Sequence, residues 1–126
     1  AKVGGKLIGV DVDQSANIDT YGEGMCVTSA MKGLAETVKH MLSEVVAGNF
    51  ANYGGKIETL GLVSGDDPTA NYVQLPMETT QWGDGFTQDD YKALVKAMFD
   101  GEVTVSNDPS AMPETTITVN FAGNIK

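Results

Sequence analysis

Three carboxylates stand close together near the start of the chain, in the stretch LIGVDVDQSANIDTYGEG that covers residues 7–24. Asp11 and Asp13 follow a short apolar run, and Asp19 comes within the same polar loop. Carboxylates at this spacing can act as a nucleophile and an acid/base pair, hold calcium, or accept hydrogen bonds from a ligand. The rest of the sequence has to distinguish among these three kinds of chemistry.

The enzyme interpretation takes GVDVDQS as a nucleophile loop of the haloacid-dehalogenase type, with Asp11 as nucleophile and Asp13 as acid/base. For the later partners of such a phosphohydrolase the sequence offers Ser29, Lys32, Asp66 and Asp67. Two features count against it. Ser15 stands where Thr or Val is usual, and Asp66 follows Asp11 by only 55 positions, too few for the several βα units that such a fold requires.

The calcium interpretation places oxygen-bearing residues at alternate positions of an EF-hand-like loop, namely Asp11, Asp13, Ser15, Asn17 and Asp19. The glycine that turns such a loop is Ala16 here, and Gly22 stands where a bidentate glutamate is required. A predicted strand also precedes the loop, where an EF-hand has a helix. The sequence therefore disfavours a calcium site.

The ligand interpretation gives the first two aspartates different roles. Asp13 is expected to form the turn after the strand and to accept hydrogen bonds from nearby backbone N–H groups. Asp11 lies at the carboxyl end of a predicted buried strand, which is where ligands bind in open α/β sheets. Because a carboxylate can accept hydrogen bonds from two vicinal hydroxyls, Asp11 is the candidate for binding a sugar.

The charge of the chain narrows the choice of partner. Seventeen acidic residues against eight basic ones give a net charge of −9, which disfavours nucleic acid and anionic membrane surfaces. All eight basic residues are lysines, so no guanidinium is present for bidentate capture of phosphate, and a neutral polar ligand is favoured. The single cysteine, Cys26, is predicted to be a buried apolar residue, and no metal or cofactor is predicted.

Strands and helices are predicted to alternate along the 126 residues, which indicates one α/β domain. Residues 6–12 and 25–28 are predicted strands, and a long helix with a buried apolar stripe is expected from Met31 to Val46, capped by Thr28 or Ser29. A second helix begins at Thr87, where Asp90 completes a capping box, and ends at Gly101. Further extended segments are predicted at residues 57–63, 72–75, 102–105 and 115–121.

Several motifs in this order resemble one known family. GVDVDQ and TSAMK, then GGKIETLGL, QWGDGFTQDDYKALVKAMF and the closing VNFAGNIK, are similar to the C-terminal part of the basic membrane protein family. These are substrate-binding proteins of ABC transporters, among them receptors for purine nucleosides. The resemblance implies a type I periplasmic-binding-protein-like fold with flavodoxin-like lobes, of which residues 1–126 are the C-terminal segment and contribute to both lobes. The opening AKVGGK, typical of the end of a helix before a strand, leads to the same expectation of an absent upstream part.

The resemblance also implies a function and a site. It implies an extracytoplasmic, lipid-anchored protein that binds a purine nucleoside or similar ribose-containing ligand and partners the membrane subunits of a transporter. Asp11 would hold the ribose hydroxyls. Lys32, expected in the first turn of the long helix, would lie near the sugar and hold the Asp11 carboxylate in position. A ligand-binding sensor and the phosphohydrolase that uses Asp11 and Asp13 stay open as alternatives.

Overall fold

The computed structural model describes residues 2–106, 108, 110, 114–116, 118 and 123. They form a small mixed α/β domain with a three-stranded sheet and three α-helices, so the α/β prediction is confirmed at this level. The strands are β1 (Leu7–Asp11), β2 (Cys26–Lys32) and β3 (Val73–Gln74), and the helices are α1 (Ser15–Ile18), α2 (Leu34–Val46) and α3 (Gln88–Phe99). Three short 3-10 helices cover Asp19–Tyr21, Phe50–Asn52 and Pro68–Ala70. Among these elements, no helix is both long and apolar enough to cross a membrane.

The sheet is mixed, with strand order β1-β2-β3. β1 pairs in parallel with β2, and the register places Val10 opposite Ala30 and Asp11 opposite Met31. β3 pairs antiparallel with the end of β2 through Met31 and Lys32. Residues 12–25, which include α1, make the crossover that two parallel neighbours require.

β2 is longer than the sequence predicts, and this moves the start of α2. The predicted strand ended at Thr28 and the predicted helix began at Met31, but residues Cys26–Lys32 are all extended. Pairing with β1 on one side and with β3 on the other keeps residues 26–32 extended. This tertiary effect outweighs the local preference for helix. The helix begins at Leu34 after Gly33, and no side chain caps it, so the N-cap prediction for Thr28 or Ser29 is wrong.

The apolar stripe of α2 was predicted to be buried, and this is also wrong. No residue of α2 is buried, and the large apolar side chains that stay exposed on it are Leu34, Val38, Leu42, Val45 and Val46. Among the described elements, α2 packs mainly against the 3-10 helix Phe50–Asn52 rather than against the sheet. The helix is therefore amphipathic in sequence, but most of its large apolar side chains are not covered by other described residues.

The start of α3 matches its prediction closely. The Thr87 side chain accepts a hydrogen bond from the Asp90 amide, and the Asp90 carboxylate accepts one from the Thr87 amide, which completes the capping box. Tyr91 and Val95 are buried as expected, whereas Leu94 and Phe99 remain exposed. The helix ends before Gly101, whose φ of 80° is favourable for glycine.

Two segments predicted as strands form no regular strand. In residues 57–63 the chain is held instead by the fully buried Asn71, whose Oδ1 accepts hydrogen bonds from the Val63 and Ser64 amides. In residues 102–105 the Glu102 and Val103 amides donate to the Ala97 carbonyl and close the end of α3. The short extended piece near Val73 is confirmed as β3. The strand predicted at 115–121 lies mostly outside the described residues.

The described core is small. Its buried apolar residues are Cys26, Tyr91 and Val95, and this confirms the prediction for Cys26. Trp82 packs beside Tyr91, with ring centroids 5.6 Å apart, and its Nε1 donates to the Met77 carbonyl. Gln81 and Trp82 thus link the start of β2 to α3, because Gln81 Nε2 donates to the Cys26 carbonyl and Trp82 packs on Tyr91.

Close backbone packing at Gly33 yields a stability prediction. A Cβ at this position would lie 2.8 Å from the Asn71 carbonyl oxygen and 2.9 Å from the Tyr72 Cα, both of them backbone atoms that cannot rotate away. Gly33→Ala should therefore lower the free energy of unfolding by about 1–3 kcal/mol in urea titrations. Gly5→Ala, where a Cβ would meet nothing within 4 Å, is the matched control and should change it by less than about 0.5 kcal/mol. Equal effects of the two substitutions would contradict the packing argument.

Candidate functional site

Asp11 is the last residue of β1, and its side chain is 52% exposed. Lys32 is the last residue of β2, and its Nζ lies 2.6 Å from Asp11 Oδ1. The predicted proximity of these two side chains is therefore observed, although the role expected for them is not thereby tested. The predicted place of Lys32 in the first turn of a helix is wrong, because β2 extends to this residue.

Parallel pairing explains why the two residues meet. Parallel neighbours end at the same edge of a sheet, and the register sets Met31 opposite Asp11, so Lys32 comes one residue beyond it. The site therefore lies at the carboxyl edge of β1 and β2, the edge at which open α/β sheets bind ligands.

The ion pair contributes little to stability. With the two side chains 52% and 62% exposed, water screens the pair, and such surface pairs are worth about 0–1 kcal/mol. The same exposure leaves the carboxylate open to hydrogen-bond donors from a ligand. The pair therefore does little to hold the fold together, and both side chains are accessible to a ligand.

The backbone at Asp11 is strained. Its φ is 74°, the only positive φ of a residue other than glycine among the described positions. The Val12 amide donates to the Val10 carbonyl at 3.0 Å, so Asp11 is the central residue of a γ-turn of the rare type. A positive φ costs a residue with a Cβ about 1–2 kcal/mol, and such outliers concentrate at functional sites.

Asp13 caps backbone, as predicted, and also contacts a distant segment. Its Oδ1 accepts from the Ser15 amide at 3.0 Å, and its Oδ2 accepts from the Thr79 hydroxyl at 2.7 Å. Partial burial acts to raise the pKa of Asp13, but the hydrogen bonds from Ser15 and Thr79 together outweigh it and hold the pKa below its usual value of 3.8.

The other polar residues singled out in the sequence have separate structural partners. Asp19 Oδ1 accepts from the Cys26 amide at 2.8 Å and so fixes the start of β2. Ser29 is fully buried, and its Oγ accepts from the Gln14 amide at 3.1 Å. Asp67 caps the 3-10 helix Pro68–Ala70 through the Thr69 amide. Within the described part of the chain, no three acidic, histidine or cysteine residues are grouped so that they could hold a metal ion.

Sequence reasoning missed the segment of residues 76–82, which lies beside the Asp11 loop. Thr79 contacts Asp13, and the Gln81 amide donates to the Val27 carbonyl at 2.8 Å. Asp13 and Thr79 are 66 positions apart in sequence, and no motif links them. Only the way in which this segment lies against β2 brings them together.

An apolar cavity of about 530 Å³ opens beside Lys32, between the sheet and α3. Its walls come from the ends of β1 and β2, from the turn at Leu62, from β3 and from one side of α3. Its lining residues include Val10, Ala30 and Leu62, together with Leu94 and Met98 of α3. The ion pair therefore stands at the margin of an apolar surface.

Comparisons with protein-family models, with curated proteins and with solved structures found no match to this chain.

The strain at Asp11 predicts an unusual order of stability. Asp11→Gly and Asp11→Ala both remove the carboxylate and its ion pair, so the difference between them reports the backbone alone. Glycine adopts positive φ freely, whereas alanine is strained there. The free energy of unfolding of Asp11→Gly should therefore exceed that of Asp11→Ala by about 1 kcal/mol, and its melting temperature should be several degrees higher.

The matched control is the pair Asp13→Gly and Asp13→Ala, since Asp13 does not have a positive φ. At this control position alanine should be at least as stable as glycine. If alanine also equals or exceeds glycine at position 11, the strained γ-turn is not present in solution.

The lowered pKa of Asp13 predicts a dependence of stability on pH. A carboxyl whose pKa is lower in the folded state than in the unfolded state stabilises the fold fully above about pH 5, and this contribution is lost as the pH falls through the folded value, below 3.8. The difference in unfolding free energy between the unaltered chain and Asp13→Asn should therefore be constant from about pH 5 to 7 and shrink on further acidification. Urea unfolding at several pH values measures this difference, and a difference that grows on acidification would contradict the assigned direction.

Proposed function

We propose that this chain is part of the solute-binding component of an ABC transporter and helps to bind a purine nucleoside, or a similar ribose-containing ligand, between two lobes. In this proposal the chain belongs to a protein with the type I periplasmic-binding fold, of which it supplies segments to both lobes. The location is extracytoplasmic, in the periplasm or at a lipid-anchored cell surface, and the protein partner is the membrane part of the transporter.

The observation that carries the proposal is the geometry of Asp11 and Lys32. An exposed carboxylate lies on a strained turn at the carboxyl edge of two parallel strands, 2.6 Å from an exposed ammonium. Strain and an exposed ion pair contribute little or negatively to stability, so their presence favours a binding role. The motif resemblance assigns ribose binding to the same two residues.

The chemistry of the site suits a sugar. Asp11 Oδ1 forms an ion pair with Lys32 Nζ, and the carboxylate retains lone pairs for two vicinal hydroxyls. Lys32 also offers N–H donors of its own to ligand oxygens. A net charge of −9 and the lack of arginine disfavour a phosphorylated ligand, which leaves a nucleoside rather than a nucleotide as the favoured class.

The mechanism in this proposal involves no change of covalent bonds. The ligand contacts both lobes only when they close, so it binds the closed state more tightly than the open state and shifts the population towards closure. The membrane subunits then distinguish the closed form from the open one. A sensor would use the same closure to signal to a receptor, and neighbouring transporter genes would separate these two uses.

The proposal predicts that Asp11 and Asp13 contribute unequally to binding. In the complete two-lobed protein, Asp11→Asn should weaken inosine binding at least about a hundredfold, close to 3 kcal/mol, because the amide has one acceptor oxygen and its NH2 opposes the ribose hydroxyls. Asp13→Asn should cost much less, since Asp13 faces Ser15 and Thr79. Isothermal calorimetry measures both affinities.

Two controls accompany that experiment. The 2′-deoxynucleoside should bind the unaltered protein more weakly and should lose less on Asp11→Asn, because one of the hydroxyls is already missing. Melting temperatures should show that both variants remain folded. Normal inosine binding by Asp11→Asn would mean that the sugar site lies elsewhere. In a separate assay, magnesium-dependent hydrolysis of a phosphomonoester would favour the phosphohydrolase alternative.

A further inference from the structure

The strained turn at Asp11 needs support from its surroundings. A residue with φ of 74° relaxes towards negative φ unless neighbouring contacts fix the chain on both sides of it. On the upstream side, the pairing of β1 with β2 supplies those contacts. The chain must also be fixed on the downstream side, from Val12 onwards.

Two anchors hold the downstream side. The first is local to the βα crossover, where the Gln14 amide donates to the buried Ser29 Oγ and the Gln14 carbonyl accepts from the Asn17 and Ile18 amides. The second is the Asp13 carboxylate, which holds the Ser15 amide with one oxygen and the Thr79 hydroxyl with the other. Thr79 is the one member of this second anchor that comes from outside residues 7–32.

Thr79 is itself held on the sheet by its neighbours in sequence. The Thr80 hydroxyl donates to the Pro76 carbonyl and lies 2.7 Å from the Thr28 hydroxyl. The Gln81 amide donates to the Val27 carbonyl, and its Nε2 donates to the Cys26 carbonyl at 2.7 Å. The Thr79 hydroxyl is thus presented to Asp13 from a segment that is fixed against β2.

We propose that the hydrogen bond between Thr79 Oγ1 and Asp13 Oδ2 is a clip that holds the Asp11 turn in its binding geometry, which makes Thr79 a positioning residue of the site. The inference rests on the proposed function for its effect on ligand affinity. The effect of the clip on the Asp11 turn is a property of the chain itself and does not depend on the proposed function.

The ligand-free test is amide hydrogen exchange in the 126-residue chain. Thr79→Val keeps the shape of the side chain but removes the hydroxyl, so exchange of the Val12 and Ser15 amides should accelerate about tenfold. Thr79→Ser keeps the hydroxyl and should restore slow exchange at both amides. The matched control is Thr69→Val, which removes a like bond, from Thr69 Oγ1 to Asp67 Oδ1 at 2.7 Å, and should leave Val12 and Ser15 unchanged.

The affinity test uses inosine and the complete two-lobed protein. Thr79→Val should weaken binding about tenfold, Thr79→Ser should bind nearly as the unaltered protein does, and Thr69→Val should have no effect. Affinity is measured well below the melting temperature of every variant, so that a bond with a merely structural role leaves it unchanged, whereas the clip predicts a loss in Thr79→Val that Thr79→Ser restores.

The outcomes separate the clip from the proposed function. Unchanged exchange at Val12 in Thr79→Val overturns the clip, whatever the affinity. Faster exchange with unchanged affinity overturns the positioning role and leaves a purely structural bond. If the unaltered protein does not bind inosine, the proposed function fails, and the clip is then decided by the exchange rates alone.

Discussion

Parallel pairing of β1 with β2 is the constraint on which the other features of this domain depend. It sets the register that brings the ends of the two strands, and therefore Asp11 and Lys32, to one edge. It also requires a crossover, which residues 12–25 supply, and three carboxylates from the end of β1 and from this crossover each have a separate task. Asp11 faces Lys32, Asp13 holds Ser15 and Thr79, and Asp19 holds the first amide of β2. One pairing thus fixes both the position of the site and the path of the loop that supports it.

The site and the scaffold differ in how their polar groups are satisfied. The buried polar side chains, Ser29 and Asn71, are hydrogen-bonded to backbone and hold loops in place. No buried side-chain nitrogen or oxygen in the described residues lacks a partner. The strained backbone of Asp11 lies instead at the sheet edge, together with the Asp11–Lys32 pair, which is one of four exposed ion pairs in the described residues. The proposed binding role accords with this division, because a ligand site at a strand end needs accessible polar side chains on a well-supported frame.

The sequence predicted features whose causes are local and missed those whose causes are distant. The capping box of Thr87 and Asp90 and the backbone-capping role of Asp13 depend on neighbours within a few residues, and these predictions are confirmed. The prediction of a buried first strand is wrong, because Gly9 is the one buried residue of β1. Lys32 was assigned to a helix because TSAMK precedes a helical repeat, but pairing with two strands keeps it extended. The Asn71 clamp and the contact of Thr79 with Asp13 have no periodic or motif signature, so they could not be predicted.

The burial of Cys26 has a practical consequence. Its side chain is only 2% exposed, its Sγ donates to the Thr28 carbonyl, and its backbone amide is held by Asp19, so a thiol reagent reaches the sulfur only when the start of β2 separates from its neighbours. As the single cysteine in the chain, it gives one unambiguous labelling signal. The ratio of its labelling rate to that of an unstructured thiol measures the free energy of that local opening. The molecule therefore carries a built-in chemical reporter for the strand on which Lys32 depends.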